Sequence, residues 1–270
     1  DWSPASSSHN ASSTVDPRSA APGWQGNNDL NLVTLGESGR AVRQRGVLPP
    51  NAGGQYGWWG TMFAWAGDGT TLAYSRPDSV GIVDLNRPEF TAWAEFVPYQ
   101  TRGDWAWLPG VAWGEDGGAL FLVDHGAPIG LEGAAASPVF DLVARTGPGG
   151  RTLTLTPRAG MFAGPSVSPA HDLPSGERAY AVAFLQALTP LESEESGHAL
   201  MVIDRDGSNR RRLFPPEGEP GLKAQQPVWA PSGDRLALIH RGDLWIVDLA
   251  SGIGQRLTGD GLTTVCDWGP

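Results

Sequence analysis

Residues 229–258 read WAPSGDRLALIHRGDLWIVDLASGIGQRLT. The stretch opens on Trp-x-Pro and continues into an apolar run at 236–239. An Arg-Gly break follows, then a second apolar run at 244–247 closed by Asp248. A polar turn leads to a last short run ending in Leu257-Thr258. Short strand-like runs separated by Gly, Asp and Ser are the pattern of antiparallel hairpins. The runs are nearly continuously apolar rather than alternating, which marks strands covered on both faces of their sheet. A parallel α/β arrangement would need amphipathic helices of ten or more residues between strands. The nearest candidate, ESEESGHALMVI at 192–203, is interrupted by Gly197.

The opening recurs along the chain. DWSP surrounds Trp2, FAWAGDG Trp65, VAWGEDG Trp113, SVSPAHD Val167, PVWAPSGD Trp229, and CDWGP Trp268. The shortest interval, Trp229 to Trp268, approaches the roughly 40–50 residues of one propeller blade. Each unit then follows one order. A second strand comes after an Asp-Gly-type turn (TTLAYS, GALFLVD, AYAVAFL, RLALIH). A third carries an Asp near its end (VGIVDL, PVFDLVA, ALMVIDRDG, DLWIVDL). A fourth closes the unit (FTAWAEFV, RTLTLT, RRRLF, GQRLT). Four short strands per unit, repeated, predict an all-β, closed β-propeller of four-stranded antiparallel blades. Five intervals between six signatures predict five blades, with six as the alternative. TTVCDW, at 263–268, is expected to close the ring by pairing with N-terminal strands, because an open ring leaves strand edges exposed.

QQPVWAPSGDRLALIHRGDLWIVDLASGIGQRLT resembles the TolB-like propeller repeat, whose pattern is a Pro, Trp-Ser-Pro-Asp-Gly, an apolar strand, an Ile-Tyr-Val-Val-Asp-Leu strand and a closing Arg-x-Leu-Thr. The match is fair at ALMVIDRDGSNRRRLF and weaker around Trp65 and Trp113, where the Pro is missing, and Val167, where the Trp is missing. The N-terminal unit, DLNLVTLGESGRAVRQR, keeps only third and fourth strands. The resemblance implies the fold and says little of function, since one fold hosts many activities. Residues 1–270 are read as a single propeller domain with a polar, partly irregular N-terminal segment at about 3–28.

Composition removes several classes of function. The chain has 270 residues with 19 Lys and Arg against 29 Asp and Glu, a formal net charge of −10. A phosphate-binding surface needs clustered positive charge, so no nucleic-acid partner is expected. Arg210-Arg211-Arg212 reads as a solvated strand edge. No run of 18 apolar residues spans a membrane, and the polar start carries no signal-peptide pattern, so the chain reads as an excised mature domain. A single Cys266 excludes an internal disulfide framework and a Cys-based zinc site, and it suits an extracytoplasmic bacterial protein.

Catalytic patterns are missing too. GESGR at 36–40 fails the last position of the Ser elbow, and neither a P-loop nor His-Glu-x-x-His occurs. Propellers also gate prolyl-oligopeptidase-type proteases; a hydrolase domain of that kind is not in this chain. DRDGSN at 204–209 starts like a calcium loop, but Pro215 stands where the twelfth-position Glu is required. Asp124 and His125 are neighbours in a strand and point to opposite faces. The acids beside inner strands (Asp68, Glu115, Asp116, Asp172, Asp234, Asp267) fall mostly in hairpin turns, where Asp belongs for turn reasons alone. No metal or cofactor is expected.

Aromatic clusters carry the functional signal. GGQYGWWGTM supplies Tyr56, Trp58 and Trp59, and TRGDWAWLPG supplies Trp105 and Trp107. Both precede an inner strand, so both fall in connectors that rim one mouth of the central channel. Exposed Trp and Tyr give large, rigid contact area for a partner. Insertions at 125–138 and 186–198, between second and third strands, emerge on the same face. The acids Glu192, Glu194 and Glu195 in the latter read as a solvated tip or a contact for a basic partner. The expectation is a monomeric, non-catalytic module binding a protein or peptide through Tyr56, Trp58, Trp59, Trp105 and Trp107, in the bacterial envelope or outside the cell. The alternatives are a carbohydrate-binding or glycosidase-type propeller, using the same aromatics as sugar platforms, and the accessory propeller of a larger hydrolase.

Overall fold

The computed structural model describes residues 9–12, 29–36, 38, 40–49, 61–103, 105–172 and 178–268. The described residues are nearly all β. Four sheets have four antiparallel strands each and a fifth has three. The first sheet is β1 (His9–Ser12), β2 (Leu30–Leu35) and β3 (Ala41–Leu48). The second is β4 (Met62–Trp65), β5 (Thr71–Arg76), β6 (Ser79–Asp84) and β7 (Arg87–Glu95). The third is β8 (Val111–Trp113), β9 (Leu120–His125), β10 (Phe140–Arg145) and β11 (Thr152–Thr156). In the fourth, β12 (Ser166–Val167) carries a small hairpin of β13 (His171–Asp172) and β14 (Arg178–Ala179) before β15 (Ala181–Ala187), β16 (His198–Asp204) and β17 (Arg211–Phe214). The fifth is β18 (Val228–Trp229), β19 (Arg235–His240), β20 (Asp243–Asp248) and β21 (Gly254–Arg256). Two 3₁₀ turns, Ala134–Ala136 and Pro190–Glu192, are the helical elements among the described residues.

Each sheet meanders outward in chain order, and the inner strands β4, β8, β12 and β18 touch in succession. Five blades of a propeller result. The local chemistry is that expected from the repeats. Asp68 accepts from the amides of Thr70 and Thr71 at 2.7 and 2.9 Å, tying the turn between first and second strands. In three of the blades an Asp at the end of the third strand caps the next turn: Asp84 binds the Asn86 amide, Asp204 the Asn209 side chain, Asp248 the Ser251 amide. Arg241 and Gly242 close the β19–β20 hairpin with φ of 55° and 79°, the left-handed pair a two-residue hairpin requires.

The core lies between blades rather than inside one sheet. Leu30, Leu48, Leu72 and Val83 join the first blade to the second. Ala73, Val80, Leu120 and Leu122 join the second to the third. Phe121, Phe140, Tyr180 and Phe184 join the third to the fourth, and Leu185, Leu200, Trp229 and Leu236 the fourth to the fifth. This two-sided burial is why the middle strands read as continuous apolar runs.

One terminal expectation is corrected, that of the C-terminal strand. Within the N-terminal segment read as partly irregular, His9–Ser12 pairs antiparallel with β2. Its polar residues carry no strand pattern, and the open edge of β2 supplies one. TTVCDW belongs to no ladder among the described residues, although the Thr263 amide does donate to Gly242 O at 2.7 Å. No described ladder joins the fifth blade to the first.

Candidate functional site

The connector 96–110 leads from β7 to β8. Backbone groups anchor its first half. Gln100 N donates to Ala135 O at 2.7 Å, and the ring nitrogens of His125 lie 2.6 Å from Val97 O and 2.9 Å from Ser137 O. His125 is buried, stacked on Phe140, so it staples the connector to the 126–139 insertion. Asp124 points away and pairs with Arg145 at 3.4 Å; burial holds its carboxyl above the usual range despite that guanidinium.

The second insertion is held by charge. Glu194 accepts from the Tyr99 hydroxyl at 3.2 Å and the Arg102 amide at 3.3 Å, and Glu195 accepts from the Arg102 guanidinium at 3.0 Å. Burial, then the neighbouring Glu194, pushes the Tyr99 phenol up. Two of the three acids at 192–195 thus meet an arginine of their own chain. Sequence reasoning missed this, because Arg102 lies 92 residues from Glu194.

Trp105 and Trp107 separate. Trp107 is 1% exposed, its Nε1 donating to Met161 O at 2.8 Å and its ring set edge-on against Phe140 at 4.8 Å. It is a core residue, which corrects its assignment to the rim: the blade interface beneath the connector supplies both an apolar slot and an acceptor. Trp105 is 37% exposed and stacks on Phe162, with centroids 6.1 Å apart and planes 19° apart. Tyr56, Trp58 and Trp59 lie outside the described residues.

Phe162 also lines a recess of about 250 Å³ with Met62, Met161, Gly164, Gln225 and Gln226. The two glutamines are spent on structure. Gln225 bonds both the amide and the carbonyl of Ile239 at 2.7 Å, standing in for a strand residue, and Gln226 reaches Pro165 O at 2.9 Å. Met62, Val97, Trp105, Ile129, Leu131, Leu188 and Leu191 are exposed, beside the charged Arg102 and Glu195. Apart from Met62, the first residue of β4, these residues come from the connector and the two insertions bonded to it. A grouping of this kind marks an interaction surface better than isolated exposed side chains do. Met and aromatic groups suit a surface that must adapt to a partner.

Both ring nitrogens of His125 face backbone carbonyls, and Nδ1 of His198 faces Leu222 O while its Nε2 is buried without a partner. Asp116 is engaged by Tyr180 and by Arg205 at 3.1 Å. Among the described residues no three His, Cys, Asp or Glu side chains gather as metal ligands, and no helix is long and apolar enough to cross a membrane.

Comparison with solved structures gives the fold its place. A TolB-like protein from Agrobacterium tumefaciens is 13% identical over 95% of this chain and 78% of its own, with a TM-score of 0.52. The fold is that of a TolB-like β-propeller. The same propeller is found in a prolyl endopeptidase, 11% identical over 95% of this chain but only 34% of that enzyme, with a TM-score of 0.52. No family model matches the chain, and no curated protein does. At these identities the likeness speaks for the TolB-like propeller itself, not for an activity.

Proposed function

We propose that this propeller is a non-catalytic binding module that captures a protein or peptide on the face built from the connector 96–110 and the insertions 126–139 and 188–197. One observation carries the reading: six exposed apolar side chains, Trp105 among them, lie on the connector and on the two insertions that hydrogen-bond to it. Such loops on a rigid scaffold are a common place for recognition. Tyr56, Trp58 and Trp59 complete the face in this proposal. The module acts as a monomer in the bacterial envelope or outside the cell, in keeping with its low cysteine content and its likeness to a TolB-like protein.

The test is selection of peptides from a displayed library, repeated with Trp105→Ala and Leu131→Asp combined. Peptides retained by the parent and lost by the variant, with an unchanged circular-dichroism spectrum, support the reading. Peptides retained equally by both overturn it. A glycan array run in parallel separates carbohydrate recognition. The likeness to the propeller of a prolyl endopeptidase favours a second reading, an accessory domain of a larger hydrolase; a hydrolase domain encoded in the same gene would establish it.

A further inference from the structure

A second pocket, of about 500 Å³, lies between the end of β17 and the β19–β20 hairpin, away from the connector 96–110. Its apolar side is a three-ring cluster. Phe214 lies 5.4 Å from His240 and 5.2 Å from Trp245, and His240 lies 5.9 Å from Trp245. Pro215 and Pro216 extend that wall, and Arg212 pins both carbonyls at 2.7 and 3.2 Å. Gly254 is the floor. A Cβ there would stand 2.7 Å from Phe214 Cε2 and 3.3 Å from Trp245 Cε3, so only glycine lets the rings pack this way. The wall is thus held by several specific contacts.

Its polar groups are oddly unspent. His240 is 8% exposed and has no hydrogen-bond partner among the described residues; burial, then the Arg241 charge, lowers its basicity, so it sits neutral with one donor and one acceptor. Trp245 Nε1 is buried without an acceptor. A buried polar group left unpaired costs free energy unless something binds it. The acidic capacity of the pocket is mostly used: Asp243 accepts from the Gly261 amide at 3.0 Å and the Thr258 hydroxyl at 3.4 Å, and faces Arg256 at 3.6 Å. The basic capacity is not. Arg241, at the hairpin tip, has no carboxylate partner among the described residues, and Arg256 has only the long contact to Asp243. Glu219 is the remaining charge on the lining.

We propose that this pocket binds a planar aromatic anion of small-molecule size. The ring lies against Phe214, Trp245 and the two prolines. The anionic group meets Arg241, with Arg256 behind it, and His240 makes the orienting hydrogen bond. The volume falls within the usual range for small-molecule sites, roughly 300–1,000 Å³. None of these residues belongs to the rim, so this site stands or falls separately from the partner face.

Three matched probes test it by ligand-observed NMR titration of the whole chain: indole-3-acetate, its neutral alcohol tryptophol, and its cationic amine tryptamine. Indole-3-acetate is expected to bind saturably and about tenfold more tightly than either relative. Arg241→Ala, at an exposed tip, should weaken it by about fivefold, the upper range for a solvent-exposed ion pair, and leave tryptophol unchanged. His240→Phe keeps the ring and removes the hydrogen bond, and should weaken both. If that variant does not fold, the Arg241→Ala comparison decides alone. Tightest binding of tryptamine would assign the pocket to Glu219 and cations and overturn the proposal. So would equal binding of all three probes, a non-saturable response, or indifference to Arg241→Ala.

Discussion

The indole Nε1 of Trp229 donates to the backbone carbonyl of Ser166 at 3.0 Å, reaching one blade back along the ring. Trp113 does the same to Ala64 at 3.1 Å. Ala64 precedes Trp65 and Ser166 precedes Val167, so each donor meets the residue just before the equivalent position in the preceding blade. The recurring tryptophan is therefore an inter-blade tie. Where Val167 replaces it, the third and fourth blades are linked instead by Tyr180 and Arg205, both on Asp116. Burial, then the Asp116 carboxylate, pushes the Tyr180 phenol up to about 12.

Trp229→Ala should destabilise the protein by about 3–5 kcal/mol, as large aromatic truncations in a core do. Trp229→Phe keeps most of the ring and should cost less, with about 1 kcal/mol attributable to the lost hydrogen bond. Chemical-denaturation midpoints measure both. A loss below about 1 kcal/mol for the alanine variant would show that the tie carries no load.

Trp105 and Trp107 should behave oppositely. Trp107→Ala opens a cavity beside Phe140 and orphans Met161 O, for a cost of about 3–5 kcal/mol. Trp105→Ala removes a partly exposed ring and should change stability by no more than about 1 kcal/mol while weakening partner capture. Equal melting temperatures for the two variants would contradict the assignment.

Stability should fall on acidification through the histidines. Burial depresses the basicity of His198 and of His240 in the folded state. The unfolded chain then binds more protons than the native one just below the ordinary histidine value of about 6.5, so their contribution is present above that value and is lost as pH drops beneath it. His198 shows why: its Nδ1 faces Leu222 O at 3.2 Å, and its Nε2 is buried without a partner, so a second proton has no acceptor. His198→Gln should flatten the slope of melting temperature against pH between about 5 and 6.5. An unchanged slope would remove His198 from the account.

Arg102→Ala should loosen the connector without unfolding the blades, because the pairs with Glu194 and Glu195 are at the surface and worth about 1 kcal/mol or less. Amide exchange is the sensitive readout. The Gln100 amide, bonded to Ala135 O, should exchange faster in the variant, whereas the core amide of Leu122 should not.

How much of this could be read from the chain depends on the range of the interaction that decides it. The sequence alone determined the blades, their strand order and most of their turns. Hairpin chemistry is local: Asp68 binds amides two and three residues away, and Arg241-Gly242 forms a turn that its own backbone preferences favour. It also placed the insertions between second and third strands. The tertiary structure decided what these elements face. Trp105 and Trp107 share one connector, yet only Trp107 finds a slot, made by Phe140 and Met161 from the next blade interface. His9–Ser12 becomes a strand because β2 offers an edge, while TTVCDW, with the better pattern, stays outside every described ladder. The acids of the 188–197 insertion meet Arg102, and Phe214 meets His240 and Trp245, only through blade packing. Burial and charge pairing are set by neighbours distant in the chain, and a one-dimensional pattern does not contain those neighbours.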